Sequence, residues 1–326
     1  MNYSEKLKRL QERRNPGFKQ YSLDKAFSAE DYKTEVEEAQ EYVMSAMEEL
    51  PIRSTEISYE EGDRVKKHLL EELPAYGFNP DFRYQGSVPC NTHIKYHSDI
   101  DLLVIIDKFE SVENTKRITH PYSGNPREDL ENLRAACIKI LKENYTVADI
   151  EKNSKSIKIS GGSLRRKIDV VPANWYNSEK WYNTEIDYYR GIRIFDCKTK
   201  ERDINFPFLN IQLIDEKDAQ TFGRYRPLVR LAKTLKEDSE LNIQISSYDM
   251  QALLYNMDNS IFFSNIRDSL LYTTDFLNRL VQNPNIYKSL YVPDMTRKIS
   301  DRVDISEVRK LCNEFYTISE QLGIIE

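Results

Sequence analysis

The chain has 326 residues, 40% of them hydrophobic and 31% charged, with only 10 Gly and 12 Pro. This composition belongs to a folded globular protein with a sizeable core, and it excludes collagen-like, low-complexity and disordered classes. A net charge of −6 argues against long nucleic acid as an obligatory partner, because duplex binding asks for a basic face.

Residues 1 to 27 are polar and mixed in charge, broken at Asn15-Pro16-Gly17, and read as a short helix or an outer arm. The first thirty residues lack the apolar stretch of a secretory signal, so a cytoplasmic protein is expected. Ser28-Ala-Glu-Asp31 has the make-up of a helix start. Tyr32, Val36, Ala39, Tyr42, Val43, Ala46 and Met47 then recur at helical spacing up to Pro51. A second helix is expected from about Thr55 to Leu73, before Pro74.

Asp81 to Gln85 reads as the first strand, running into a Gly86-Ser87 turn, with Asp99 to Ile106 as its partner. Leu102-Leu-Val-Ile-Ile106 is apolar without alternation, as in a strand covered on both faces. It is also the longest uninterrupted apolar run noted, far too short to span a membrane. Asp99 and Asp101, two residues apart, project to one face of that strand, while Ile100 and Leu102 project to the other. Aspartate is disfavoured inside strands, and two on one face repel unless a cation lies between them.

A polar, turn-rich segment follows, then helical spacing from Arg127 to Asn144. Tyr145 to Ile150, Ser156 to Ile159 and Leu164 to Val171 read as three short strands, the last two joined by Gly161-Gly162. Asp169 sits between Ile168 and Val170, again an acid in an apolar strand, facing away from both. Residues 174 to 205 are rich in Trp, Tyr and Asn and read as a hydrophobic cover.

Beyond Asn205 the pattern is helical: 208 to 217, 221 to 238, 246 to 258, 264 to 283 and 305 to 322. The expected fold class is α+β. A lobe with a mixed or antiparallel sheet and the N-terminal helices spans 1–205, a helical lobe spans 206–326, and a ligand cleft lies between them. Cys90, Cys137, Cys197 and Cys312 are scattered and read as reduced thiols, and His93 and His97 as loop residues without a zinc pattern.

Three strand carboxylates, Asp99, Asp101 and Asp169, suit two Mg²⁺ ions, with Mn²⁺ as a substitute, clamping an in-line phosphoryl displacement. Gly86 lets the backbone approach a phosphate closely, and Ser87 can donate its hydroxyl to the β- or γ-phosphate of a nucleoside triphosphate. In that reading Asp99 and Asp101 hold both metals. Asp169 holds the catalytic one and helps to deprotonate the incoming hydroxyl. An isolated Asp-x-Asp is usually a surface-loop feature; the conjunction of turn, spacing, buried strand and third acid gives the pattern its meaning.

Gly86-Ser87, Asp99-Ile-Asp101 and Ile168-Asp169-Val170 together resemble the signature of the polymerase-β-type nucleotidyltransferase superfamily. Within it the chain is similar to the CD-NTases, the cGAS/DncV-like nucleotidyltransferases of bacterial anti-phage (CBASS) signalling. Gly86-Ser87 followed by Thr92, and Ser98-Asp-Ile-Asp-Leu-Leu-Val104, carry that likeness. So do Pro227-Leu-Val-Arg-Leu-Ala-Lys233-Thr-Leu-Lys236 and Ser246-Ser247-Tyr248 in the helical region.

The resemblance implies a polymerase-β-like lobe closed by an oligoadenylate-synthetase-like helical lobe. It implies Lys233 and Ser247 on the donor triphosphate, Tyr248 stacked on its base, and a cyclic di- or trinucleotide product made from NTPs with release of pyrophosphate. It leaves room for an accessory protein of an anti-phage operon and implies a downstream effector that binds the product. Animal DNA sensors of this family carry a His/Cys zinc insertion and strongly basic faces. Neither is found here, which argues against activation by DNA. The alternatives are another nucleotidyltransferase of the superfamily, acting on a linear oligonucleotide, RNA or small-molecule acceptor, and a non-catalytic nucleotide-binding module.

Overall fold

The computed structural model describes residues 2–15 and 34–325. The expected breaker at Pro16-Gly17 and the helix start at Ser28–Asp31 lie outside the described residues. The chain divides into two compact units, one of Pro51–Cys90 and His97–Gln212, the other of Met1–Leu50, Asn91–Tyr96 and Leu213–Glu326.

The first unit is built on a seven-stranded sheet. Strands β1 (Asp81–Gln85), β2 (Ile100–Val112), β3 (Asp149–Lys152), β4 (Ile157–Ser160) and β5 (Ile168–Asn177) run in the order β1-β2-β5-β4-β3. Strand β6 (Gly191–Phe195) pairs with β5 and β7 (Arg202–Asn205) with β6. The β2–β5 pair is parallel and the other pairings are antiparallel, so the sheet is mixed, as expected.

The unbroken apolar run of β2 is explained by burial on both sides. Ile100, Leu102, Val104 and Ile106 share a core with Val65 and Leu69 of one helix (Ile52–Glu72) and Leu133, Cys137 and Ile140 of another (Pro126–Asn144). Leu103 and Ile105 face the opposite way, into a smaller cluster with Val171, Ala173, Trp175 and Ile192. Burying such side chains is worth about 2 kcal/mol each. That is enough to pin the register of the strand that carries Asp101.

Three strands differ from expectation: β2 runs on past Ile106 to Val112, and two others begin later than expected. The third begins at Asp149, because the helix before it runs to Asn144 and is followed by a turn closed by Ala148 N–H on Tyr145 O. The fifth begins only at Ile168. The buried Arg166 guanidinium is drawn off the sheet to Ser58 Oγ and the Ser54 carbonyl, so the residues just before it leave the ladder. That strand then runs on to Asn177, taking in Trp175 and Tyr176, which are buried as a cover should be. Strands β6 and β7 were not expected.

The second unit is helical. Numbering helices in chain order, α1 is Tyr3–Arg14, α2 Glu35–Met47, α3 Ile52–Glu72, α4 Pro126–Asn144, α5 Glu179–Thr184, α6 Pro207–Gln220, α7 Tyr225–Asp238 and α8 Ser247–Tyr255. Then come α9 (Ile266–Gln282), α10 (Pro284–Ser289) and α11 (Ile305–Gln321). Helices α3, α4 and α5 belong to the sheet unit, and the boundary at Gln212 falls within α6. Among the described residues no helix is long and apolar enough to cross a membrane.

The N-terminal helices were expected with the sheet, but Met1–Leu50 groups with the C-terminal helices. Polar anchors explain why. Asp238, buried at the end of α7, accepts from Arg13 Nη2 at 2.7 Å and from the Tyr42 hydroxyl at 2.8 Å. Arg230 Nε donates to the Met47 carbonyl at 2.8 Å.

Replacing Asp238→Ala strands both partners of a buried cluster. It should lower unfolding free energy by about 3 kcal/mol in urea titrations, because an uncompensated buried charge is left behind. Asp238→Asn, which keeps an acceptor for Tyr42, should cost less.

Candidate active site

Gln85, Asp101, Asp169 and Lys158 are successive cross-strand partners on β1, β2, β5 and β4. Partners directly opposite one another in a pleated sheet share a face, and adjacent strands lie about 4.8 Å apart. The sheet therefore lays these four side chains in one row. Ile157 and Ile159, which flank Lys158, and Ile168 and Val170, which flank Asp169, are all fully buried in the helix-covered core and hold Lys158 and Asp169 on the opposite face. Asp99 precedes Asp101 by two residues, at the mouth of β2.

Three carboxylates this close raise one another's cost of ionisation. Asp101 shows it: burial first, then the charges of Asp169 and Asp99, push its carboxyl up to about 7, with Lys158 pulling the other way. Asp169 Oδ1 accepts from Ser156 Oγ at 2.9 Å. Lys158 Nζ lies 3.1 Å from Asp99 Oδ2 and 3.8 Å from Asp169 Oδ2, and its bond to Asp99 is the main cause that raises its own pKa. Among the described residues no three His, Cys, Asp or Glu side chains form a ready metal cage. The cation that pairs with the row of acids is the Lys158 ammonium.

Gly86 closes over this row. Its φ is +90°, and a Cβ built there would sit 2.3 Å from Asp101 Oδ2. Both the backbone conformation and the contact require glycine. Ser87 follows, half-buried, in a turn whose return is the Cys90 N–H on the Gly86 carbonyl. The two loops that deliver the acids are tied together: Ile100 N–H donates to the Lys167 carbonyl, and Arg166 Nη1 lies 2.8 Å from His97 Nδ1.

The remaining candidates lie in the helical unit. Lys233, on α7, is buried and donates to the carbonyl of Thr92, whose hydroxyl donates to Gln251 Oε1 at 3.2 Å. Ser247 opens α8 and is exposed, with Ser246 as the cap that accepts from Asp249 N–H. The Tyr248 hydroxyl bonds Asp294 Oδ2 at 3.3 Å, and the Arg297 guanidinium lies 5.5 Å from its ring centre.

Gly86, Ser87, Asp99, Asp101 and Asp169 thus fall in the sheet unit, and Lys233, Ser247 and Tyr248 in the helical one. The sequence reading missed Lys158 and Ser156. Their signal was the alternation Ser156-Ile-Lys158-Ile, which places both polar side chains on the face of Asp169.

A family model described as the cGAS/DncV-like nucleotidyltransferase C-terminal helical domain matches residues 212–320. A cyclic dinucleotide synthase, CdnE, of Yersinia aleksiciae is 36% identical across 85% of this chain and 75% of its own. A c-di-GMP synthase of Capnocytophaga granulosa is 33% identical, with 95% of this chain and 94% of that one aligned. The chain belongs to the CD-NTase family. The solved structure of the STING-associated CdnE c-di-GMP synthase from Capnocytophaga granulosa superposes on this CD-NTase with a TM-score of 0.81 at 34% identity, covering 99% of each chain. The fold is therefore the polymerase-β-like α+β fold of the CD-NTases, and the protein is a nucleotidyltransferase.

Two outcomes follow for this enzyme. Gly86→Ala drives a methyl group into the Asp101 carboxylate and should lower turnover about 100-fold, the scale of a 1 Å misplacement at a reacting centre, with the circular dichroism spectrum unchanged. Asp101 holds its proton more tightly when folded than at its ordinary value of 3.8. In a chelator-containing buffer the stability it contributes is full below about pH 4 and is lost as pH rises through about 7. Melting temperatures from pH 4 to 8 should show this fall, and Asp101→Asn should flatten it.

Proposed function

We propose that this CD-NTase joins two GTP molecules into the cyclic dinucleotide c-di-GMP, releasing two pyrophosphates, and that the product signals in bacterial anti-phage defence. The observation that carries the chemistry is the in-register Asp101–Asp169 pair under Gly86. The choice of GTP rests on relatives above 30% identity from Lachnospiraceae, Capnocytophaga granulosa and Flavobacteriaceae, each named a c-di-GMP synthase.

Asp99, Asp101 and Asp169 are hard oxygen donors of the kind that hold Mg²⁺ beside a triphosphate, and burial, with the charges of Asp169 and Asp99, makes the Asp101 carboxylate costly to ionise without a cation. Bound there, a pair of divalent ions (Mg²⁺, with Mn²⁺ as a substitute) would neutralise the triphosphate and acidify the attacking hydroxyl. The chain's own groups do the rest. The Gly86-Ser87 bend receives phosphate oxygens, the Ser87 hydroxyl donating to one of them.

Asp169, oriented by Ser156, accepts the proton of the incoming ribose hydroxyl. That oxygen bonds to the α-phosphorus as the bond to pyrophosphate breaks, and a second such transfer closes the ring. In the helical unit, Lys233 and Ser247 serve triphosphate oxygens and Tyr248 a base. Lys233 then exchanges the Thr92 carbonyl for phosphate. The free cysteines and the absence, among the described residues, of a membrane-crossing helix suit a cytoplasmic enzyme. The Capnocytophaga granulosa relative is described as STING-associated, and a STING-like effector is the proposed receptor of the product.

Incubation with each NTP and with all four, in Mg²⁺ or Mn²⁺, followed by mass spectrometry, should give c-di-GMP from GTP alone. Only linear oligomers, or a ring that needs another base, would contradict this reading. The double substitution Asp99→Asn, Asp101→Asn should cut turnover by at least about 1,000-fold, several kcal/mol of barrier, while the protein still unfolds cooperatively.

A further inference from the structure

The metal reading leaves Lys158 without a role, although it is the side chain that answers the charge of the acids. Among the described residues the only ion pairs that Asp99 and Asp169 make are to Lys158. Its position is built in. It stands directly opposite Asp169 across the β4–β5 pairing, and the flanking Ile157 and Ile159, both fully buried, prevent it from turning to the other face. The side chain is also partly open to solvent, 24% exposed against 15% for Asp169, so the ammonium can leave without opening the core.

We propose that Lys158 is an internal counter-ion, bridging Asp99 and Asp169 when no metal is bound, which a divalent ion must displace to reach their carboxylates. The proposal rests on the assignment of these acids as metal ligands. An ammonium and a divalent cation drawn to the same carboxylate oxygens compete for them, because like charges a few ångströms apart repel strongly outside bulk water. Lys158 therefore does two things. It holds the acids together against their mutual repulsion in the resting enzyme, and it lowers the affinity of the nucleotide-free site for metal.

A triphosphate changes the balance by bringing its own ligand oxygens for the metal and a new anion for the displaced ammonium. Lys158 thus makes metal capture depend on nucleotide. This is a positioning role, distinct from contact with the reacting atoms.

Mn²⁺ binding to the full-length, nucleotide-free protein, read by electron paramagnetic resonance, tests this without recourse to turnover. Lys158→Met keeps the length of the side chain and removes its charge. It should tighten Mn²⁺ binding about tenfold or more. Lys158→Arg, which keeps the charge, should bind Mn²⁺ as weakly as the wild type.

Lys158→Met should also melt below the wild type in chelator and regain the difference on adding Mn²⁺, which loss of a merely structural contact would not produce. With a non-hydrolysable GTP analogue present, the advantage of Lys158→Met in Mn²⁺ affinity should shrink. Unchanged or weaker Mn²⁺ binding by Lys158→Met, with binding still abolished by Asp101→Asn, overturns the counter-ion role and leaves the metal site standing. Binding that ignores Asp101→Asn in every variant overturns both.

Discussion

Mutual repulsion among three carboxylates governs this molecule. A parallel β2–β5 register sets Asp101 opposite Asp169, and Asp99 arrives beside them two residues earlier. Nothing in the packing of the sheet needs acids there; nonpolar residues would suit the place better. The fold accepts the cost because the strands behind them are deeply buried on both faces. Sites of this kind spend stability on chemistry and are held in place by what surrounds them.

The surrounding structure consists of specific devices. Gly86, at positive φ, brings the backbone against the Asp101 carboxylate as no other residue could. Arg166, buried beneath α3, links the loop before β5 to His97 in the loop before β2, so the two acid-bearing strands start from one polar knot. In the helical unit, the carbonyls of Asn91 and Thr92 are taken by Arg230 and Lys233 of α7. Asn91 and Thr92 are thereby held by charged donors within that unit.

Much of this was legible in the sequence, for physical reasons. The Asp-x-Asp pair followed by an apolar run could be read because strand periodicity is two and acids are rare in buried strands. The same logic found Asp169. Strand β1 was marked by the Gly86-Ser87 turn at its end, and helix α4 by the helical spacing of its apolar residues from Arg127 to Asn144.

What escaped notice depended on contacts distant in sequence. Arg166 looks like part of a strand until Ser54 and Ser58 are seen to bind it. The N-terminal helices read as packing for the sheet until Asp238 is seen to hold Arg13 and Tyr42. Strands β6 and β7 are short and carry polar residues, so their pairing with β5 had no local signature. Lys158 was overlooked because one lysine in a four-residue strand has no meaning until its partner across the ladder is known.

A cation site formed by Asp101 and Asp169 and guarded by Lys158 is open to direct observation. Crystals grown with Mn²⁺ and a non-hydrolysable GTP analogue can be measured at the manganese absorption edge. Anomalous peaks are expected between the Asp101 and Asp169 carboxylates, with the Lys158 ammonium turned away from Asp99. Manganese bound elsewhere, with Lys158 still bridging Asp99 and Asp169, would contradict it.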